Sequence, residues 1–261
     1  APTTFEVDRP RASRILDAAL AEGRERLLEH EALEVLGAYG IPTVEHRVVG
    51  GRDEAVRAAE AIGYPVVLKL LSGDVVHKTD VGAVRVDVRD GAEVVRAYGE
   101  IEAAARNVGA SVAGILVETY LTGGRETIVG MAGDPVFGPL LMFGLGGIYV
   151  EALRDVAFRV QPVSEVDARE MIDSIRGRGL LEGVRGEPGV DRECLAEVIQ
   201  RVSQLVGDHP RIAELDINPF LAFPESGLAV DARIRITPGE SPSASAGSLV
   251  EHLAHAEEPA V

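Results

Sequence analysis

One lysine stands in an otherwise apolar run, Pro65-Val66-Val67-Leu68-Lys69-Leu70-Leu71. A buried, unpaired ammonium is strongly disfavoured, so Lys69 must either pair with an acid or face a ligand cavity. Downstream, Ser72-Gly73-Asp74-Val75-Val76-His77-Lys78-Thr79-Asp80-Val81-Gly82 packs small and polar residues between two strand-like segments. A loop of this type can hold phosphate through backbone N–H groups, hydroxyls and a cation. It contains no G-x-x-x-x-G-K-[ST] pattern, so it is not a P-loop. His77 within it could carry a proton, accept a phosphoryl group or ligate a metal, or simply sit at the surface. Gly144-Leu145-Gly146-Gly147 fails the G-x-G-x-x-G test for dinucleotides. It reads as a tight turn, or as a loop whose amides approach a phosphate. The most specific pattern is Glu214-Leu215-Asp216-Ile217-Asn218-Pro219. On a strand, period two puts Glu214, Asp216 and Asn218 on one face. Two carboxylates and an amide are hard oxygen donors, suited to Mg²⁺ rather than zinc. Asp231, opposite in parity to Leu228 and Val230, can turn to the same polar side. The competing reading is an ordinary hairpin with one solvated face, although Asp and Asn are poor strand residues.

These groups need elements to place them. Periodicity predicts helix over about 12–39, with a break at Gly23, ended by Gly40-Ile41-Pro42. A strand is predicted at 44–49, a helix at 53–62 with Gly63 as C-cap, and strands at 65–71, 83–88 and 112–118 around a helix at 92–105. Continuous apolar runs suit strands buried on both faces, and alternating strands and helices indicate an α/β (α+β) class. After Gly124 the pattern changes to strands at 126–131, 136–143 and 156–160, then helices at 166–175 and 194–206. Strands at 211–217 and 228–234 are joined across a Pro224-Glu225-Ser226-Gly227 turn, which predicts a hairpin. Residues beyond 237 are rich in Pro, Ser, Ala and Glu and read as a disordered tail, 239–261.

Length and composition narrow the class. A chain of 261 residues, 46% hydrophobic, allows one or two domains with a sizeable core. Net charge is −16, which disfavours a nucleic-acid backbone or an anionic membrane surface but leaves room for a small anionic ligand in a locally positive pocket. Of 26 basic residues only two, Lys69 and Lys78, are lysines, and both fall within one ten-residue stretch. That placement favours a compact ammonium over a wide guanidinium fork there. A single cysteine, Cys194, rules out an internal disulfide and a cysteine metal cage. With no apolar run long enough to cross a bilayer, the expected address is the cytoplasm.

Taken together, Val67-Leu68-Lys69, His77-Lys78-Thr79-Asp80-Val81-Gly82, Phe143-Gly144-Leu145-Gly146-Gly147-Ile148-Tyr149-Val150-Glu151 and Leu215-Asp216-Ile217-Asn218-Pro219 resemble the ATP-grasp part of NDP-forming acyl-CoA synthetases. The acetyl-CoA synthetase type is the nearer resemblance and succinyl-CoA synthetase β chains the more distant. The resemblance spans about residues 12–236, and the four motifs come in the family's order. It implies an ATP-grasp fold, two subdomains with the nucleotide between them. The first would run over 25–117 with Lys69 and the His77 loop, the second over 118–238 with the glycine loop and the metal residues. Residues 1–24 would form an N-terminal extension or linker. It further implies that Lys69 contacts nucleotide phosphates, Val117 and Glu118 lie at the adenine hinge, and Glu126 binds the ribose. Gly146, Gly147 and Arg159 would line the nucleotide site. Asn218 and Asp231, with Asp216 nearby, would hold Mg²⁺, and His77 would be the transiently phosphorylated histidine. ATP and ADP are the implied substrates, and the implied partner is a CoA-binding alpha subunit or fused alpha domain, giving a hetero-oligomer. On this reading the chain alone binds nucleotide without completing the reaction. Two other functions fit the same residues: a nucleotide-sensing, non-catalytic ATP-grasp domain, and a ligase working through an acyl phosphate.

Overall fold

The computed structural model describes residues 1–73, 81–147, 155–183, 186 and 188–239. These fall into two compact units: 28–30 with 44–122, and 1–27 with 31–43 and 123 onward.

In the smaller unit, β1 (His46–Val49), α1 (Arg52–Ile62), β2 (Val66–Leu71), β3 (Val84–Val88), α2 (Gly91–Asn107) and β4 (Gly114–Thr119) follow one another. The strands form one sheet in the order β1-β4-β2-β3, every pairing antiparallel. The alternation that suggested α/β thus builds an antiparallel sheet, because each helix joins two strands that run the same way but are not neighbours: β4 lies between β1 and β2, and β2 lies between β3 and β4. Val66, Leu68 and Leu70 of β2 and Ile115 and Val117 of β4 form one apolar cluster with Ala55 and Ala59 of α1 and Val94, Ala97 and Ile101 of α2. By period two, Val67, Lys69, Leu71, Leu116 and Glu118 occupy the other face. Gly63 ends α1 at φ 96°, a left-handed cap that only glycine adopts cheaply.

The larger unit begins with α3 (Arg9–Ala21) and takes α4 (Glu29–Ala38) from Glu31 onward, the first two residues of that helix belonging to the smaller unit. Its strands β5 (Arg125–Asp134), β6 (Gly138–Leu145), β7 (Val156–Val160), β8 (Ile212–Ala222), β9 (Gly227–Ala229) and β10 (Ala232–Ile236) form a sheet ordered β10-β8-β5-β6-β7, with β9 pairing β8. Helices α5 (Glu165–Ser174) and α6 (Arg192–Asp208) share their core with one face of this sheet. Ser164 and Asp167 close a capping box at the start of α5. The stretch expected as an extension or linker instead contributes Ala12, Leu16 and Ala19 to this core. The smaller unit ends at Thr122 rather than at Val117, because β4 continues past that residue as an inner strand of its sheet.

The expected hairpin forms with more detail than the sequence gave reason to expect. β8 pairs β9 through 220–222 and β10 through 212–217, and the turn is closed by Phe223 N–H donating to Ser226 O. Between the two ladders, the Asn218–Pro219 peptide is cis. The expected tail from 240 lies outside the described residues. Among the described residues no helix is long and apolar enough to cross a membrane.

Candidate functional site

Lys69 is held by two acids. Its Nζ donates to Glu29 Oε1 at 2.8 Å and lies 2.6 Å from Glu118 Oε1. The lysine side chain is 12% exposed, that of Glu29 3% and that of Glu118 0%. Sheet register explains half of this: Lys69 lies opposite Leu116 and Val67 opposite Glu118, so Lys69 and Glu118 are diagonal neighbours on one face. Glu29, the first residue of α4, supplies the other half and was not legible in the sequence, being forty residues away. Of the two readings left open for Lys69, the acid pair is therefore present, in duplicate.

On the larger unit, parity sorts the sheet. Val129, Met131, Leu141, Phe143, Leu215, Ile217 and Ile234 face the helices, while Ile128 and Met142 form a small separate cluster on the opposite face, with Val156 and Phe158 packed against it. Glu126, Asp216 and Asn218 share the parity of that second face.

At one end of this face the glycine loop lies on Glu126. Gly146 N–H donates to Glu126 O at 2.7 Å. A Cβ on Gly146 would sit 2.8 Å from Glu126 Cβ and 3.1 Å from its carbonyl carbon, and one on Gly147 would sit 2.7 Å from Glu126 Oε2. Gly147 also has φ 61°. The loop is glycine because backbone must touch backbone there. We expect Gly146→Ala to cost about 1–3 kcal/mol by overpacking against the β5 main chain. Denaturant unfolding of the variant checks this, and an unchanged midpoint would refute the close approach. Behind the loop, the buried Asp155 carboxylate accepts from Arg176 N–H at 2.7 Å and Gly177 N–H at 2.6 Å, an anchor the sequence reading missed. Carboxylates that accept paired main-chain N–H groups at a turn are common, so spacing alone gave no signal for it.

At the other end are the acidic residues. Asn218 N–H donates to Asp231 O at 3.1 Å, which sets these two residues side by side, two positions along β8 from Asp216. Gly130 lies opposite Asp216 in β5, and a Cβ there would come 3.7 Å from Asp216 Oδ1. Glu214 is otherwise engaged: its Oε1 accepts from Arg235 at 2.8 Å, and this bond holds the Arg235 guanidinium above its ordinary pKa. Among the described residues no three His, Cys, Asp or Glu side chains gather as a metal cage. Asp216, Asn218 and Asp231 offer two carboxylates and an amide, which fits Mg²⁺, an ion that normally completes its shell with water and phosphate oxygens.

Two of the expected site residues have their side chains engaged elsewhere. Arg159 has the parity of Ala157 and so faces the helices, where it pairs with Glu170 of α5 at 3.4 Å. Val117 is fully buried in the cluster beneath α1 and α2, so its side chain is core and the expected hinge contact would fall to its main chain. His77 and Glu151 lie outside the described residues.

With this geometry in hand, the chain belongs to the ATP-grasp domain family, whose model matches residues 18–236. It is 46% identical over 226 residues to the β subunit of ADP-forming acetate–CoA ligase I of Pyrococcus furiosus, covering 86% of this chain and 97% of that subunit. It is also 46% identical over 223 residues to the ADP-forming 4-hydroxybutyrate–CoA ligase of Nitrosopumilus maritimus, covering 85% of this chain but only 32% of that one. Among solved structures it resembles acetyl-coenzyme A synthetase 1 of Ca. Korarchaeum cryptofilum. With coenzyme A, Ca-AMPCP and HgCl⁺ bound, that structure gives a TM-score of 0.84 at 45% identity, covering 87% of this chain and all of that one. A second form carries coenzyme A and Mg-AMPPCP with its phosphohistidine segment pointing towards the nucleotide site, at TM-score 0.78, 43% identity and the same coverage.

Proposed function

We propose that this chain is the nucleotide-binding, phosphoryl-transferring part of an ADP-forming acyl-CoA synthetase, for which the overall reaction is acyl-CoA + ADP + phosphate ⇌ carboxylate + CoA + ATP. The observation that carries this reading is the match to a β subunit over 97% of its length. The chain's own chemistry supports it. Phosphoryl transfer depends mainly on positioning and charge neutralisation. On this reading the Lys69 ammonium would meet phosphate oxygens, Glu126 would meet the ribose hydroxyls, and the Gly146-Gly147 loop would line the nucleotide site. Asp216, Asn218 and Asp231 would hold Mg²⁺, which when bound neutralises charge on the phosphates. His77 would accept the phosphoryl group on a ring nitrogen and pass it on. The CoA site would belong to an alpha subunit or fused alpha domain, in a hetero-oligomer. The single cysteine, its thiol pKa pushed up to about 11 by burial, suits a reducing compartment such as the cytoplasm.

Incubation with [γ-³²P]ATP and Mg²⁺, with a CoA-binding alpha chain supplied in trans, tests the reading. We expect an acid-labile, base-stable label on the wild-type chain and none on His77→Ala. Nucleotide binding without any such label would favour a sensing domain instead.

A further inference from the structure

The glycine loop is held from behind as well as from Glu126. Gly144 pairs with Val156, the first residue of β7, and a Cβ on Gly144 would sit 2.8 Å from Val156 Cγ1 and 3.0 Å from Asp155 O. Asp155 therefore presses its main chain on the first residue of the loop. Its side chain, in a residue only 7% exposed, turns to the segment that follows α5. There Oδ1 accepts from Arg176 N–H at 2.7 Å and Oδ2 from Gly177 N–H at 2.6 Å. That segment closes on the loop in turn: a Cβ on Gly177 would collide with Leu145 Cδ1 and come 3.3 Å from Asp155 Oδ2. Leu145 is the second loop residue, and one position on, Gly146 N–H donates to Glu126 O. One carboxylate thus ties residues 176–177, and with them Leu145, to the start of β7. Hydrogen bonds to a charged acceptor are stronger than neutral ones, and two from successive amides fix orientation as well as distance.

We infer that Asp155 is a positioning residue for the glycine loop: by clamping residues 176–177 behind Leu145 it sets where Gly146 and Gly147 stand when nucleotide binds. This rests on the reading of that loop as lining the nucleotide site. It assigns to Asp155 a part in nucleotide affinity exercised through Leu145. A loop fixed in place beforehand loses less freedom on binding.

Two variants separate positioning from stability. Asp155→Asn keeps the size of the side chain but offers one oxygen, so one of the two amides meets an NH₂ donor. Ser164→Ala opens the capping box at the opposite end of α5 from the clamp, a loss of stability in the same unit. ADP affinity with Mg²⁺ would be measured by calorimetry on the full chain, alongside thermal melting. We expect both variants to melt lower, Asp155→Asn to weaken ADP binding about tenfold, and Ser164→Ala to stay within about twofold of wild type. The inference is overturned if Asp155→Asn binds ADP as wild type does, which is the result a role in folding alone would give, or if Ser164→Ala loses as much affinity. If Asp155→Asn does not fold, Gly177→Ala takes its place. That change leaves the carboxylate intact and pushes on Leu145, so it too should weaken ADP binding about tenfold, and wild-type affinity in the folded variant overturns the inference. Failure of the underlying reading looks different: the wild-type chain itself would then show no saturable ADP binding, and the inference falls with it.

Discussion

Lys69→Met will cost the protein both its nucleotide affinity and much of its stability. Glu29 is 5% exposed and Glu118 0%. Methionine fills the lysine's volume but removes the ammonium that both buried carboxylates contact. Removing one partner of a buried ion pair typically destabilises by about 3–5 kcal/mol, because the survivor stays buried without compensation. Denaturant unfolding in the absence of nucleotide would read this loss directly. Calorimetry with ADP and Mg²⁺ on whatever folds would read the second effect. Lys69→Arg divides the two. It restores the charge, so most of the stability should return. Affinity should remain well below wild type, since a planar guanidinium cannot place a point charge where an ammonium stood. A Met variant as stable as wild type would mean that the two acids do not depend on Lys69. An Arg variant of unchanged affinity would remove the argument from the chain's sparing use of lysine.

What the sequence disclosed and what it withheld divide along a physical line. Lys69 announced itself because a charge inside an apolar strand must be accounted for within the chain or by a ligand. Asp216 and Asn218 did so because period two is local and needs only a strand to express it. Both signals act over a few residues. Glu29 was silent because its meaning depends on β2, forty residues on, and an acid in the first turn of a helix is ordinary by itself. The face taken by Arg159 was silent for a related reason. Its segment was rightly read as a strand, but which face it took depended on Ala157 being the residue that packs under α5 and α6. Residues 9–21 carried a clear helical stripe, yet nothing local says whether such a stripe is covered by its own neighbours or by strands more than a hundred residues later. Glu214 shows the converse. It shares the face of Asp216 and Asn218, as alternation requires, and is taken up by Arg235 across the β8–β10 ladder.

That last difference makes the acidic face testable. Asp231→Ala should sharply reduce Mg²⁺-dependent phosphoryl transfer, while Glu214→Gln should leave it nearly intact, although both remove one carboxylate from the β8–β10 region. Asp231 stands beside Asn218 through a main-chain hydrogen bond, and Asp216 lies two positions along β8. Losing one of two carboxylates from a three-donor set takes away the charge that holds the ion. Because a bound metal supplies several kcal/mol of charge stabilisation in phosphoryl transfer, the rate of labelling by [γ-³²P]ATP should fall by about 100-fold or more. Raising Mg²⁺ into the high millimolar range should recover part of it, since the defect is in affinity for the ion. Binding of ADP measured in EDTA should be no weaker in Asp231→Ala than in wild type, because without the ion Asp231 only adds repulsion. The Glu214→Gln variant loses a partly exposed ion pair with Arg235, a modest stability cost, and should keep the wild-type Mg²⁺ dependence. If Glu214→Gln lost Mg²⁺ activation as Asp231→Ala did, the assignment of Asp216, Asn218 and Asp231 as the metal set would fail. The ion would then have to be placed nearer Arg235.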